Sequence, residues 1–259
     1  MTNTFIDGSF TGCLPRNDKL GDTFPVFEAT PIGKIIPRNE WRSRIADRPP
    51  MRPLVGRIKR QSYGSCGSHS TTQGFETFWN LVFGKEDWLE FSPNSMYPWI
   101  SSRANSGSTL SDNMRQVMNV GLLPIPGQKT EQFLKDAGIP VHTREENDYY
   151  GRFPDGWKDT AKFFRATEIF DIASYDGLIT ALILGCPCIV GRRGHAICHL
   201  DPKEDGTKVE YPNSWGEDWG DEGFGIDTES MVSGAIRSYG AFAIRSVYTN
   251  DRFIELMRD

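Results

Sequence analysis

The stretch NSWGEDWGDEGF, residues 213–224, is the most informative part of this sequence. It places glycines and tryptophans at short, regular intervals after Asn213. Glycines in such a pattern mark turns, and on their own Trp215 and Trp219 indicate packing rather than chemistry. Two other stretches have to be considered together with it: QSYGSC at residues 61–66 and GHA at residues 194–196.

These stretches supply a thiol, an imidazole and an amide. Cys66 precedes His195 by about 130 residues and Asn213 by about 150, which is the separation typical of papain-type catalytic residues. A cysteine thiol is mostly protonated at neutral pH, so a nucleophilic cysteine needs a basic partner and benefits from a helix N-terminus. The G-S-C step at a predicted helix start satisfies the second condition.

With these residues the sequence resembles the papain-like cysteine peptidases. Residues 213–224 match the family pattern N-S-W-G-x-x-W-G-x-x-G-[YF] at every defined position. Further similarity lies in IPRNEWR at 36–42, in FSPNSMY at 91–97 and in residues 181–190. The resemblance implies a papain-like α+β fold with a helical lobe, an antiparallel β-barrel-like lobe and an active site between them.

Periodicity of the apolar residues supports the same fold class. It predicts helices at 66–81, 109–120 and 130–137, and another that begins after Ser174. Strands are predicted at 187–191, 195–200, 208–211 and 241–248. Helices early and strands late indicate an α+β chain of two lobes. We expect an irregular arm at 1–35, a papain-like domain at 36–259, a helical lobe at about 56–125 and a β lobe at about 126–250.

The resemblance assigns a role to each candidate site residue. Cys66 is the expected nucleophile, His195 its basic partner and Asn213 the residue that orients His195. The Gln61 side-chain amide and the Cys66 backbone N–H are expected to form an oxyanion hole. Substrate contacts are expected from Gly107, Ser108 and Trp215, the last also shielding the imidazole from water.

The segment around the nucleophile departs from the family pattern Q-G-x-C-G-S-C-W. An alternative alignment puts His69 at the nucleophile position, which would make the chain an inactive relative. Placing Cys66 there instead retains Ser70, Phe75 and Glu76 at positions where the family has similar residues. In this alignment the His69 side chain is expected to point to a different face of the helix.

Two further departures concern the cleft. Only residues 191–194 separate a predicted strand from His195, where the family has a longer insertion, so this wall of the cleft is expected to be open. Residues 1–35 are too few for a helical inhibitory propeptide. Either the enzyme is made active, or the arm inhibits by another geometry.

Composition excludes several other classes of protein. The formal net charge is −5, with 29 basic and 34 acidic residues, so nucleic acid is not an expected partner. No apolar run has the length of a membrane span, and no signal peptide is recognised. Five cysteines, an odd number, argue against a disulfide framework and predict a cytoplasmic or otherwise non-secreted location.

No cofactor or metal is expected. Cys186, Cys188, Cys198 and His199 lie close together in the sequence, but the CPC step lacks the spacing of a zinc site. The expected function is that of a cysteine-type endopeptidase acting on a peptide or protein. Two alternatives stay open: a catalytically reduced papain-like domain used as a structural or binding module, and a Cys-His amidase acting on cell-wall or isopeptide bonds.

Overall fold

Five of the described helices come before residue 137 and seven of the described strands after residue 165, broadly as the sequence predicts, but a helix at Glu229–Tyr239 interrupts the strands and a short strand pair lies at residues 5–10. The structure, a computed structural model, describes residues 5–6, 9–10, 12–84 and 89–251. Within this part the helices are α1 Arg38–Asp47, α2 Cys66–Phe83, α3 Tyr97–Ile100, α4 Leu110–Asn119, α5 Gln128–Asp136, α6 Lys158–Ala161, α7 Tyr175–Ile183 and α8 Glu229–Tyr239. The strands are β1 Phe5–Ile6, β2 Ser9–Phe10, β3 Ala166–Asp171, β4 Cys188–Arg192, β5 His195–His199, β6 Asp201–Lys203, β7 Lys208–Pro212, β8 Phe224–Thr228 and β9 Ala241–Val247.

The four helices predicted from periodicity are α2, α4, α5 and α7. Two of them begin at side chains that satisfy otherwise free backbone N–H groups. The hydroxyl of Thr109 accepts the N–H of Asp112, and the hydroxyl of Ser174 accepts the N–H of Gly177. None of the described helices is long and apolar enough to cross a membrane.

The strands form two antiparallel sheets beside the short β1–β2 pair. One sheet has the order β3-β9-β4-β5 and the other the order β6-β7-β8. Within the described residues they do not close into the barrel-like lobe expected from the sequence. The reason is local: β6 starts two residues after β5 and is only three residues long, so the chain turns out of the first sheet into the second.

Several elements were not predicted from the sequence: the helices α1, α3, α6 and α8 and the strands β1, β2, β3, β6 and β8. Helix α1 is mostly polar, and Trp41 is its one buried residue, so its sequence has little amphipathic pattern. Helix α8 contains one glycine and three serines, and these residues lower its intrinsic helix propensity. Both helices therefore have only a weak local signal in the sequence.

Helix α2 lies at the centre of the molecule and carries the candidate nucleophile at its first residue. It packs against β4, β5 and β9. Its Glu76 forms a fully buried ion pair with Lys59, whose Nζ lies 2.5 Å from Oε1. The same Oε1 accepts the backbone N–H of Phe91 at 2.6 Å. This pair fixes the segment before Gln61 against α2.

Residues 12–35 run over the sheet that contains β3 and β9. Arg16 forms an ion pair with the buried Asp171 at 2.8 Å, and Phe24 packs edge-on against Phe242 with ring centroids 5.7 Å apart. This part of the arm is therefore anchored to the β side of the molecule.

Candidate active site

The segment 213–224 folds back on itself at its glycines. Gly216 has φ +86° and Gly220 has φ +62°, both in the left-handed region that favours glycine. A Cβ at Gly220 would lie 2.3 Å from the carbonyl oxygen of Phe224. The Asn213 N–H donates to the Gly223 carbonyl at 2.8 Å, which closes the turn. The glycine spacing of the sequence pattern is thus a requirement of the backbone.

This turn places Asn213 and Trp215 on the His195 imidazole. His195 Nε2 lies 2.8 Å from Asn213 Oδ1, and the indole of Trp215 stacks on the imidazole with centroids 4.8 Å apart. Asn213 Oδ1 also accepts the backbone N–H of Ser214 at 2.8 Å, so this atom is an acceptor. His195 Nε2 is therefore the protonated nitrogen, and Nδ1 is the free acceptor of the neutral ring.

Cys66 begins α2 and its side chain is completely buried. Burial raises the pKa of the Cys66 thiol to about 11, although hydrogen bonds from the backbone N–H groups of Gly12, Ala196 and Gly67 lower it. The sulfur thus lies beside Ala196, the residue after His195. Helix α2 packs against β5, the strand that begins with His195.

In this structure the thiol and the imidazole are both neutral at neutral pH. Burial lowers the pKa of His195 to about 4, against the smaller raising effect of its hydrogen bond to Asn213. Nδ1 of His195 is buried and has no hydrogen-bond partner among the described residues, so the Cys66 thiol does not donate to it. With the thiol protonated and the imidazole neutral, no ion pair joins Cys66 and His195 in the described chain.

Gln61 lies next to the signature segment but its amide is engaged. Its Oε1 accepts the hydroxyl of Ser214 at 2.5 Å, and its backbone N–H donates to the Ser214 carbonyl at 2.9 Å. Its Nε2 donates to the Tyr63 carbonyl at 3.0 Å. The residue is held beside Ser214, and its amide is engaged within the loop.

The backbone of Gly107 and Ser108, expected to bind substrate, contacts the arm instead. The Ser108 N–H donates to the Gly12 carbonyl at 2.8 Å, and the Leu14 N–H donates to the Ser108 carbonyl at 3.0 Å. Gly107 lies against Gly12. Nothing in the composition of residues 12–14 signals this contact, because it joins segments that are far apart in the sequence.

The hairpin that precedes His195 packs against the same arm. Strands β4 and β5 form a tight hairpin that pairs Arg192 with His195. A Cβ at Gly191 would lie 3.0 Å from the Cys13 sulfur. The side chain of Arg192 turns away to form an ion pair with the buried Asp227 at 3.0 Å. Gly191 is thus enclosed by Tyr239, Cys13 and Leu110.

His69 does not point away from the site, which corrects the expectation from helical spacing. It is buried, its Nδ1 lies 3.0 Å from the Ser65 carbonyl oxygen, and it lines a small cavity together with Asn213 and Ser214. Three residues along a helix bring two side chains to neighbouring positions, so His69 lies one turn below Cys66. Cys66 itself keeps its position at the helix start.

Comparisons with solved structures identify the fold. The chain is similar to xylellain, a cysteine protease from Xylella fastidiosa, with a TM-score of 0.61 and 16% identity over 92% of this chain and 96% of that chain. It is similar to procathepsin B S9 from Trypanosoma congolense, with a TM-score of 0.55 and 13% identity over 92% of this chain and 87% of that one. A third similar structure is digestive procathepsin L 3 of the Tenebrio molitor larval midgut, with a TM-score of 0.54 and 14% identity over 79% and 72% of the two chains.

No family model matches the sequence, and no curated protein sequence matches it. The likeness to the solved structures therefore rests on shape. It confirms the predicted papain-like α+β fold for this chain.

Proposed function

We propose that the chain is a cysteine-type peptidase that hydrolyses peptide bonds through a thioacyl intermediate on Cys66. The observation that carries this proposal is the His195 imidazole. Its Nε2 is fixed by Asn213 at 2.8 Å, and its buried Nδ1 is left as a free acceptor next to the strand residue that touches the Cys66 sulfur. An oriented base beside a cysteine at a helix N-terminus is the arrangement that activates a thiol.

The reaction uses one proton that moves between sulfur, imidazole and leaving group. Nδ1 of His195 takes the proton of the Cys66 thiol, and the thiolate attacks the carbonyl carbon of the peptide bond. The resulting oxyanion is stabilised by the Cys66 backbone N–H and the Gln61 amide. Collapse of the tetrahedral intermediate expels the amine, which leaves with the proton from Nδ1, and a thioester remains on Cys66.

A water molecule completes the cycle. Nδ1 removes a proton from the water as its oxygen attacks the thioester, and the proton returns to the departing thiol. Throughout, Asn213 stabilises the imidazolium by accepting from Nε2, and Trp215 covers the face of the ring. The stacked indole keeps water from competing for this hydrogen bond.

A second function is favoured by a specific observation. Burial keeps both the Cys66 thiol and the His195 imidazole neutral, and Cys66 has no exposed surface. These features are also those of a papain-like domain that has become a structural or binding module. The two functions differ in whether Cys66 turns over peptides once the cleft is free.

The test is peptide hydrolysis by the wild type, Cys66→Ala and Cys198→Ala. The measurement is the rate at which each protein hydrolyses a mixture of internally quenched fluorescent peptides. Cys66→Ala removes the nucleophile and is expected to lower turnover by about a thousandfold or more. Cys198→Ala, the matched control, makes the same change in a buried cysteine of β5 and is expected to retain activity.

Two results would contradict the proposal. Hydrolysis by Cys66→Ala at the wild-type rate excludes Cys66 as the nucleophile. A folded wild type that hydrolyses none of the peptides supports the structural or binding module.

A further inference from the structure

A small cavity beside Asn213 points to a role for His69, a residue that the proposed function leaves unused. We propose that one internal water molecule occupies this cavity and joins His69 and Gln73 to Asn213, so that both side chains are positioning residues for the amide that orients His195. The catalytic consequence of this inference rests on the proposed function. Its physical content, the tautomers of two histidines, does not depend on any activity.

The cavity has the size and the polar lining that an internal water molecule needs. Its volume is about 10 Å³, close to the smallest that holds one water molecule. Three lining residues each carry a buried nitrogen without a hydrogen-bond partner among the described residues: His69 Nε2, Gln73 Nε2 and Asn213 Nδ2. These residues are 2%, 6% and 4% exposed. Buried polar atoms nearly always have a partner, so three unpaired nitrogens around one cavity indicate a shared one.

The other polar side chains around the cavity are engaged elsewhere. The Lys59 ammonium lies 2.5 and 2.6 Å from the two carboxylate oxygens of Glu76. The Ser70 hydroxyl donates to a carbonyl of its own helix at 3.0 Å, and the Ser214 hydroxyl donates to Gln61 at 2.5 Å. A water molecule in the cavity therefore finds its partners among the three unpaired nitrogens.

The hydrogen-bonding roles of these nitrogens fit a single water molecule. Asn213 Oδ1 accepts the Ser214 N–H, so Asn213 Nδ2 is a donor, and Gln73 Nε2 is a second amide donor. His69 Nδ1 lies 3.0 Å from the Ser65 carbonyl oxygen, which can only accept, so the proton of the neutral ring is on Nδ1 and Nε2 is an acceptor. Burial lowers the pKa of His69 to about 4, which keeps the ring neutral at neutral pH. The water oxygen accepts from both amides, and one of its O–H groups donates to His69.

This water determines which end of the Asn213 amide faces His195. The two ends of a side-chain amide have nearly the same shape and differ in their hydrogen bonds. With Nδ2 bound to the water, Oδ1 lies 2.8 Å from His195 Nε2 and accepts its proton. That bond keeps the proton of the neutral imidazole on Nε2 and leaves Nδ1 free to act as the base. The lone pair of His69 thus contributes to the orientation of His195 without touching it.

The helix places the two positioning residues together. His69 and Gln73 are four residues apart on α2 and therefore lie on one face of the helix. This face meets β5, whose residues Ala196 and Ile197 also line the cavity. An apolar residue at position 69 would leave the water without its acceptor. The polar cavity thus gives a physical reason for a histidine in the segment that departs from the family pattern.

The first measurement is the tautomer of each histidine in the full chain. Protein with isotope-labelled histidine is studied at pH 7.5 by long-range proton–nitrogen correlation spectroscopy, which separates protonated from unprotonated ring nitrogens. We expect the proton of His69 on Nδ1 and the proton of His195 on Nε2. A His69 proton on Nε2 removes the acceptor and overturns the inference, whether or not the protein hydrolyses peptides.

The second measurement compares His69→Leu with His142→Leu. The first variant removes the acceptor from the cavity. The second makes the same change in a ring whose Nδ1 lies 2.9 Å from Thr160 Oγ1 and which does not line the cavity. In His69→Leu we expect the His195 proton to be shared between both ring nitrogens and kcat for peptide hydrolysis to fall by about tenfold with little change in KM, because Asn213 loses its fixed orientation. His142→Leu is expected to change none of these quantities.

Two further variants make the test specific to the hydrogen bonds. His69→Gln keeps an acceptor near the position of Nε2 and is expected to restore kcat to within about threefold of the wild type. Gln73→Met removes one donor without touching His69, which keeps the inference testable should His69→Leu disturb folding, and is expected to lower kcat by roughly threefold.

The outcomes separate this inference from the proposed function. Wild-type kcat and a wild-type His195 tautomer in both His69→Leu and Gln73→Met, with urea unfolding midpoints near that of the wild type, overturn the inference. The expected tautomers in a wild type that hydrolyses no peptide support the internal water and instead contradict the proposed peptidase.

Discussion

The two sides of the candidate site are built in different ways. On the strand side, His195, Asn213 and Trp215 contact one another directly, through a 2.8 Å hydrogen bond and a stacked ring pair. On the helix side, Gln61 Oε1 accepts the hydroxyl of Ser214 at 2.5 Å, and Cys66 is completely buried beside Gly12 of the arm. The comparison teaches that orientation of the base is intrinsic to the fold, whereas access to the nucleophile depends on a distant part of the chain.

The origin of this difference lies in the chain connections. His195 begins β5 and Asn213 directly follows β7, so the strand side is assembled by neighbouring strands and one turn. The helix side needs the arm, the loop at Asn105 and the signature segment to meet at one place: the Gly64 N–H donates to Asn105 Oδ1 at 2.9 Å. The helix side therefore depends on the correct placement of more segments of the chain than the strand side does.

The largest effect is expected from breaking the ion pair that fixes the helix side. Lys59→Met leaves the Glu76 carboxylate buried without its cation and is expected to cost about 3–5 kcal/mol of unfolding free energy. Urea unfolding monitored by circular dichroism measures this change. The double variant Lys59→Met, Glu76→Met is the control, because it removes both charges and is expected to recover most of the loss.

A loss below about 1 kcal/mol in Lys59→Met would contradict this account. It would show that Glu76 finds another partner or takes up a proton at little cost, and that the pair does not hold the segment before Gln61.

The next effect concerns the amide on the helix side. Gln61→Ala is expected to lower peptide turnover by roughly a hundredfold, because removal of one oxyanion donor costs about 3 kcal/mol in the transition state. Alkylation of Cys66 develops no oxyanion and is expected to change little. Steady-state hydrolysis and iodoacetamide labelling of the same samples measure the two quantities.

The paired measurement separates catalysis from access. If Gln61→Ala slowed alkylation as much as hydrolysis, the residue would act by positioning the loop at Tyr63 and not by binding the oxyanion. If neither rate changed, Gln61 would have no part in the reaction.

The smallest expected effect is on the pH dependence of folding stability, to which one histidine on each side of the site contributes. Burial lowers the pKa of His69, on the helix side, and of His195, on the strand side, from 6.5 to about 4. Between these values the unfolded chain binds protons that the folded chain excludes, so stability falls as the pH drops from about 6.5 to about 4. Each histidine is expected to contribute about 1–3 kcal/mol to this loss.

Urea unfolding midpoints at pH 7.5 and pH 4.5 measure how much stability the protein loses on acidification. They are compared for the wild type, His69→Asn and His195→Asn. Each variant is expected to lose less stability on acidification than the wild type. A wild-type slope retained in both variants would mean that groups other than these two histidines govern the loss of stability in this pH range. The pKa of Asp227 is lowered by its hydrogen bonds to His199 and Arg192, in excess of the raising effect of burial, so its contribution is lost at lower pH.

The sequence by itself determined the fold class and the candidate residues. The spacing of 213–224 predicts a turn whose glycines adopt positive φ, and the helix start at Cys66 follows from the G-S-C step and the apolar face of α2. These features depend on backbone conformation and on periodic burial, both of which leave a local pattern. The proximity of His195 and Asn213 follows from the same signature.

Only the tertiary structure decided the state of the site. It placed Gly12 between Gly64 and Gly107, turned the Gln61 amide to Tyr63 and brought His69 to the cavity beside Asn213. Such contacts leave no recognisable sequence pattern. A glycine in an irregular arm, for example, has no side chain from which its contacts could be predicted. The neutral thiol and imidazole have the same origin, because desolvation depends on everything that packs over a group and not on its neighbours in sequence.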